Sequence, residues 1–278
     1  MNTTLHTVAF IGGGNMARSL IGGLVARGMA PASIRVSEPV DALRDALAKD
    51  FGVTVFADNA HAVEGADTWI FGVKPQVMRD VCEGLAPVAQ SAKPLVVSIA
   101  AGITTTQLER WLGGALPIVR TMPNTPALLG AGVTGLFANA RVDAAGRART
   151  QALLEATGRC VWIDEEARMD AVTAVSGSGP AYIFLVIEAL SDAGVKVGLP
   201  RYTAQKLAAQ TVLGSAKLLI ETGIHPGQLK DQVTSPGGTA IAGLATLEAG
   251  GLRTCLINAV EAATRRAREL GDQFLEKR

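Results

Sequence analysis

The chain is poor in cysteine, histidine and aromatic residues, and each shortage closes off a class of function. Its three cysteines, Cys82, Cys160 and Cys255, are far apart and odd in number. They read as reduced thiols and not as a disulfide framework. His6, His61 and His225 form no pair at metal-ligand spacing, so no zinc site built from sequence-local ligands is expected. Aromatic residues make up 4%, too few for base-stacking platforms. Neither sign of charge is in excess: 26 basic against 25 acidic residues give +1, which excludes the phosphate neutralisation behind nucleic-acid affinity. Long apolar runs are also lacking. The best stretch, from Ala181 to Leu190, contains Glu188, so no membrane span of about 18 uninterrupted apolar residues is read. Val8 to Ile11 stops at three glycines with no basic segment before it, which argues against a signal peptide. These absences point to a cytoplasmic protein without a membrane or nucleic-acid partner.

What the chain does have is material for a core. Hydrophobic residues are 48% and charged ones 18% of 278, which rules out disorder of the whole and suits one large or two ordinary domains. Short apolar runs at 8–12, 34–37, 53–56, 69–73, 95–99, 118–121, 133–138 and 160–163 read as strands. Between them, 16–27, 41–49, 76–85 and 144–157 show helical spacing. Continuous apolar strands separated by helices indicate a parallel sheet covered on both faces. From about Glu165 strand signals cease, and helical periodicity runs over 181–195, 202–221, 239–249 and 252–270. The expected architecture is an α/β Rossmann-type domain over residues 1–164 and an all-α domain over 165–278. Segment 204–220 has only Lys206 and Lys217 as charges. A helix apolar nearly all round needs burial on several sides, so the helical half is expected to pair with another copy.

Residues 8–17 place a strand, then Gly12, Gly13, Gly14, Asn15, Met16 and Ala17, then a helix. In this G-x-G-x-x-A pattern Gly12 permits the tight turn, Gly14 lets backbone approach a pyrophosphate, and Ala17 keeps the helix close to the strand. The helix start then offers free amides to the anion. After the second strand, Glu38 favours the ribose hydroxyls of NAD, whereas Ser37 with Arg44 favours the phosphate of NADP. Helix capping by Ser37 and a solvated Arg44 are the plain alternatives, and the choice stays open. Gly72, Val73, Lys74 and Pro75 close a later strand where ligands of open sheets gather, as do the small residues from Ser98 to Gly102; on spacing alone Lys74 reads first as a surface charge, and an ordinary strand-to-helix turn is the plain alternative for 98–102. In the helical half, Ser176, Gly177, Ser178, Gly179 and Pro180 precede one helix, and Thr234 to Thr239 precede another. Both loops are expected to offer amides and hydroxyls to an anion such as a carboxylate, although Ser and Gly cap helices widely and either loop alone reads more readily as a turn.

The motifs FIGGGNMA (10–17), VKP (73–75), SIAAG (98–102), RTMPNTP (120–126), SGSGPAY (176–182) and LKDQVTSPGGT (229–239) run in one order over nearly the whole chain. In them the sequence resembles the pyrroline-5-carboxylate reductases, which make proline from its cyclic imine precursor. The last motif is the most specific, and the first is shared with many dehydrogenases. The resemblance implies a helical domain that interlocks into a homodimer, assembling further in many members into a decamer. It implies NADPH as usual hydride donor, with NADH possible. The cofactor is then expected at Ile11, Gly12, Gly13, Gly14, Asn15, Met16, Ala17, Ser37, Asn59, Val73, Lys74, Pro75 and Ala100. The substrate is expected at Ser235, Pro236, Gly237, Gly238 and Thr239, with Gln232 and Ala240, and at Glu165, Ser176, Ser178 and Gly179. Many members carry a threonine where this chain has Ala240, so that hydroxyl contact does not carry over.

A cyclic imine bound as its iminium already holds the proton its nitrogen needs, so no residue is expected as acid, base or nucleophile. Related reductases acting on hydroxy acids usually use a lysine at the start of the helical domain, and this chain has none between Lys93 and Lys196. A non-catalytic dinucleotide sensor is the reading from another class. It leaves the two anion-competent loops without a purpose.

Overall fold

The computed structural model describes residues 6–276. Eight strands form one sheet: β1 Val8–Ile11, β2 Ile34–Ser37, β3 Thr54–Phe56, β4 Thr68–Phe71, β5 Leu95–Ser98, β6 Ile118–Met122, β7 Gly132–Ala138 and β8 Gly158–Trp162. Their order is β3-β2-β1-β4-β5-β6-β7-β8. The chain thus leaves β1 first to one side and then to the other, and the crevice outside the carboxyl ends of β1 and β4 is the topological switch point.

Alternation along β1 shows why the sheet is covered twice. Val8 and Phe10 join one apolar cluster with Ala17, Leu20, Ile21 and Leu24. Ala9 and Ile11 join the opposite cluster with Trp69, Phe71, Met78 and Leu108. The helices on these faces are α1 Asn15–Ala26, α2 Asp41–Phe51, α3 Asn59–Val63, α4 Pro75–Ala92, α5 Thr105–Trp111 and α6 Ala144–Leu154. Helix α4 runs past the 76–85 of the sequence reading because Pro87 is tolerated within it. Both Pro87 and Glu83, whose carbonyl loses its helical partner, lie on the exposed side.

The expected all-parallel sheet has one exception: β6 and β7 pair antiparallel, Val119 opposite Ala138 and Met122 opposite Gly135. Residues 123–131 hold only a 3₁₀ turn, Thr125–Leu129. That is too short for the crossover a parallel neighbour needs. Strand β8 returns parallel to β7 through α6.

The helical part contains α7 Met169–Val172, α8 Gly179–Lys196, α9 Arg201–Thr222, α10 Pro226–Gln232, α11 Thr239–Ala249 and α12 Leu252–Glu276. Packing divides the chain into a unit reaching to Ser178 together with the residues from Ala263 onward, and a second unit, Gly179–Ala262. The strands end at Trp162, yet 165–178 pack with the sheet; a Cβ on Gly135 of β7 would lie 2.5 Å from Val172 Cγ1 of α7. The second unit has almost no core of its own. Among its residues only Ser191, Ala204 and Ala208 are buried, while Phe184 and Leu185 are each 64% exposed. The helical stretch 166–196 is long and apolar enough by length and composition to cross a membrane. Glu188 and Asp192 interrupt its exposed side.

Candidate functional site

At the switch point Gly12 takes φ +96°, and its N–H donates to Ser37 O at 2.9 Å. A Cβ there would lie 3.0 Å from the Gly72 carbonyl carbon and the Val73 nitrogen, so glycine is required by both conformation and space. Gly14 caps α1 without any side-chain cap, and a Cβ built on it meets nothing within 4 Å. An open cradle before an uncapped twelve-residue helix fits a dinucleotide pyrophosphate. Ile11 and Ala17 are buried behind it, Met16 is half-buried and Asn15 is exposed. Beside the turn, exposed Lys74 caps α4 with Pro75 at its first position and half-buried Val73 before it. Ala100, buried after β5, donates its N–H to Ser98 Oγ at 3.3 Å. The fold therefore brings the residues read as cofactor contacts, Ser37 and Asn59 apart, to the carboxyl ends of β1, β4 and β5.

Ser37 and Asn59 meet at the ends of β2 and β3, where Ser37 Oγ donates to Asn59 Oδ1 at 2.6 Å. Ser37 caps no helix. The Glu38 carboxylate accepts from Gly13 N–H and Val40 N–H, each at 3.0 Å. Arg44 is not solvated as the plain reading has it. Its guanidinium donates to Glu38 O at 2.9 Å and to Asp41 Oδ1 at 2.8 Å.

The RTMPNTP segment carries contacts that spacing alone does not reveal. Arg120 is buried, with Glu166 Oε1 at 3.6 Å and Asp170 Oδ1 at 3.4 Å. Glu166 also accepts from Thr105 N–H and hydroxyl at 2.7 and 2.8 Å. Thr121 Oγ1 donates to Ser98 O at 2.9 Å. Of the two adjacent acids, Glu166 is thus tied into the scaffold, while exposed Glu165, read as a substrate contact, pairs with Arg168. The sequence signal for this cluster was an arginine inside an otherwise apolar strand.

Ser176 to Gly179 does not open a helix with free amides, as its composition suggests. Residues Thr173–Gly177 form a π turn that carries α7 on towards α8. Ser178 N–H donates to Thr173 O at 2.8 Å, and Ser176 Oγ to Val172 O at 2.9 Å. Pro180 has no N–H for the carbonyl of residue 176, its helical partner. Asn124 Nδ2 takes that place, donating to Ser176 O at 3.1 Å, while Asn124 Oδ1 accepts from Val133 N–H at 3.0 Å.

The second loop is a helix start. Gly238 N–H donates to Ser235 O at 3.0 Å, with Pro236 and Gly237, φ +71°, between them. Proline followed by a left-handed glycine is the pattern of a type II turn. Gly238 then caps α11 with no side-chain hydrogen bond, so the first-turn N–H groups from Thr239 onward have no helical acceptor. Ser235, Pro236, Gly237 and Thr239 are exposed, as is Gln232 at the end of α10, and Ala240 is half-buried. A concavity of about 850 Å³ along Arg18, Gly22, Gly23 and Phe51 touches the nucleotide turn only at Asn15. No group of three or more His, Cys, Asp or Glu that could hold a metal ion occurs among the described residues. Burial pushes the Cys82 thiol up to about 12, with Glu83 adding to it, and Cys160 up to about 11.

A Rossmann-type sheet with a glycine turn at its switch point, followed by a helical half, is the architecture of a nicotinamide-dinucleotide-binding protein. A family described as "Pyrroline-5-carboxylate reductase dimerisation" matches residues 166–270, and "NADP oxidoreductase coenzyme F420-dependent" matches 7–102. The pyrroline-5-carboxylate reductase of Pseudomonas aeruginosa is 50% identical, covering 96% of this chain and 97% of its own. The solved pyrroline-5-carboxylate reductase of Coxiella burnetii is 43% identical with a TM-score of 0.94, over 96% of this chain and 99% of that one. The Plasmodium falciparum pyrroline carboxylate reductase, solved with NADP bound, is 31% identical with a TM-score of 0.83, over 96% and 98%. The chain belongs to the pyrroline-5-carboxylate reductase family, NAD(P)-dependent oxidoreductases that reduce 1-pyrroline-5-carboxylate to proline in proline biosynthesis.

Proposed function

We propose that this chain reduces 1-pyrroline-5-carboxylate by hydride transfer to a cyclic iminium anchored through its carboxylate, with no acid, base or nucleophile supplied by the protein. The observation that carries the reading is the uncapped start of α11 behind the Ser235–Gly238 turn. Main-chain N–H groups there hold an anion by charge-assisted hydrogen bonds, each worth about 1.5–3 kcal/mol. The bound nicotinamide supplies the hydride. Gly12 to Ala17, with Ile11, hold its pyrophosphate side; Ser37 and Asn59 take the adenosine end; Val73, Lys74, Pro75 and Ala100 line the rest. NADPH is the donor, with NADH as an alternative.

Positioning two reactants is the principal task, and orientation of this kind lowers barriers by several kcal/mol. Ser176, Ser178 and Thr239 orient substrate or water, while Glu165, Gly179, Gln232, Pro236 and Ala240 complete the surroundings. Ala240 brings no hydroxyl, and Thr239 or a water serves in its place. Substrate binding and dimerisation are carried by residues 165–278, and dinucleotide binding by residues 1–164. The exposed apolar faces of α8 and α9 are covered by a second copy, and dimers assemble further into a decamer in the cytoplasm.

Steady-state oxidation of NADPH and of NADH with the cyclic imine, beside keto and hydroxy acids as controls, tests this. Stoichiometric proline from the imine alone is the expected result. Faster turnover of a keto or hydroxy acid would overturn the reading.

A further inference from the structure

The stretch 99–104, between β5 and α5, carries Ala100 and is pinned at both ends and in its middle. At its start Thr121 Oγ1 of β6 donates to Ser98 O at 2.9 Å. In its middle Gly102, φ +77°, lies against α12, where a Cβ on Gly271 would be 3.1 Å from Gly102 O. At its far end Glu166 reaches back 61 positions to the first residue of α5. Its Oε1 accepts from Thr105 N–H at 2.7 Å and its Oε2 from the Thr105 hydroxyl at 2.8 Å. That N–H is one of the helix-start donors without a helical acceptor. Thr105 is buried and the Glu166 side chain is 20% exposed, so little water competes for these bonds.

Glu166 is itself aimed by Arg120, whose buried guanidinium has Nη1 3.6 Å from Glu166 Oε1 and Nη2 3.4 Å from Asp170 Oδ1. Arg268 of α12 stands 4.0 Å from Asp170 Oδ2. Two acids thus share two guanidinium groups, and Asp170 remains beside Arg120 whether or not Glu166 is charged. What Glu166 alone supplies is reach, two oxygens at hydrogen-bond distance from Thr105. The place of the loop in the sheet gives that reach a consequence. A dinucleotide lies across the switch point with one mononucleotide half to each side of β1. Ser37 and Asn59 stand on the side of β2 and β3, and β4 and β5, with Ala100, on the other. With the adenosine on the first side, the nicotinamide half falls beside 99–104.

We propose that Glu166 is a positioning residue for hydride transfer, holding the 99–104 loop in place through Thr105 so that Ala100 seats the nicotinamide ring. The inference rests on the dinucleotide reading of the glycine turn and on Ala100 lining the cofactor site. Glu166 acts through the loop and not on the reactants.

Two substitutions separate reach from charge. Glu166→Gln keeps the reach: its Oε1 still accepts from Thr105 N–H, and its Nε2 donates to the Thr105 hydroxyl oxygen. Glu166→Asp keeps the charge beside Arg120 but is one methylene shorter, which withdraws both oxygens from Thr105. Two quantities are read on the full-length protein. One is kcat for the imine at saturating NADPH, counted per dinucleotide-binding site. The other, from calorimetric titration, is the ratio of the dissociation constants of NADPH and of ADP-ribose 2′-phosphate, which lacks the nicotinamide. The ratio is taken within one preparation, so a smaller folded fraction cancels, and a merely structural role would lower the melting temperature without moving it. Glu166→Asp is expected to lower kcat by about tenfold and to move the ratio towards the fragment by about tenfold, since a displaced ring loses orientation and contacts together. Glu166→Gln is expected to stay within about threefold of wild type in both. An aspartate variant that matches or exceeds the glutamine one would overturn the proposal, leaving Glu166 as a counter-charge for Arg120. So would an aspartate variant whose ratio is unchanged. Wild-type protein that binds neither compound would instead remove the dinucleotide reading, and the proposal with it.

Discussion

Replacing Gly237 by valine tests the anchor at α11 with a perturbation whose cost to the fold is bounded. Gly237 has φ +71°, where a side chain costs about 1–2 kcal/mol, with valine at the upper end. A Cβ at this position meets nothing within 4 Å, so no steric cost against the protein is added. Loss of stability therefore stays near 2 kcal/mol. Loss of function is governed by different atoms. Gly237 precedes the cap residue, and twisting the Ser235–Gly238 turn moves the N–H groups that follow it. Removing one charge-assisted hydrogen bond of about 1.5–3 kcal/mol lowers kcat/KM for the imine by about 10- to 150-fold, since about 1.4 kcal/mol is tenfold. Gly237→Ala, with a smaller side chain, should fall between. The assay varies the imine at saturating NADPH, with NADP⁺ titration as the control, because the dinucleotide turn is at the sheet and should bind as in wild type. A valine variant whose kcat/KM stays within threefold of wild type, despite a lowered melting temperature, would refute the anchor.

Three further outcomes follow from the packing. Asn124→Ala leaves Val133 N–H and Ser176 O without their side-chain partner; a loss of about 2 kcal/mol is expected, read as a lower midpoint in urea unfolding at unchanged slope. Phe184→Asp puts a charge on the exposed face of α8, where burial of a phenyl ring contributes about 1.5–3 kcal/mol; sedimentation velocity should show the dimer dissociating at concentrations where wild type is intact. Cys82, with its thiol pushed up to about 12, ionises to about one part in ten thousand at pH 8 and should resist a thiol reagent until the protein unfolds, whereas exposed Cys255 reacts in the unpaired chain.

The strand and helix pattern of the first half was legible because burial on both faces of a sheet leaves continuous apolar runs, and β1 with its glycine turn is the clearest instance. The pairing direction of β7 was not legible. It depends on the length of the 123–131 connection, and the apolar pattern of the strand is the same either way. The Ser235–Thr239 helix start was readable from proline, glycine and threonine, since each has a local conformational preference. Ser176 to Gly179 has nearly the same composition and folds otherwise, because Asn124, fifty-two positions away, supplies the donor that Pro180 lacks. Glu38 and Arg44 show the same limit. Sequence placed both near the nucleotide, but only the fold shows the acid turned onto Gly13 N–H and the guanidinium turned away onto carbonyls.

A crystal structure with oxidised cofactor and proline bound together tests the central claim most directly. The proline carboxylate should lie within hydrogen-bond distance of main-chain N–H groups at the start of α11, with the ring nitrogen free of any side-chain acid or base and the nicotinamide C4 against the neighbouring ring carbon. A carboxylate held instead by side chains elsewhere, with the Pro236–Gly238 turn empty and distant from the nicotinamide, would contradict it.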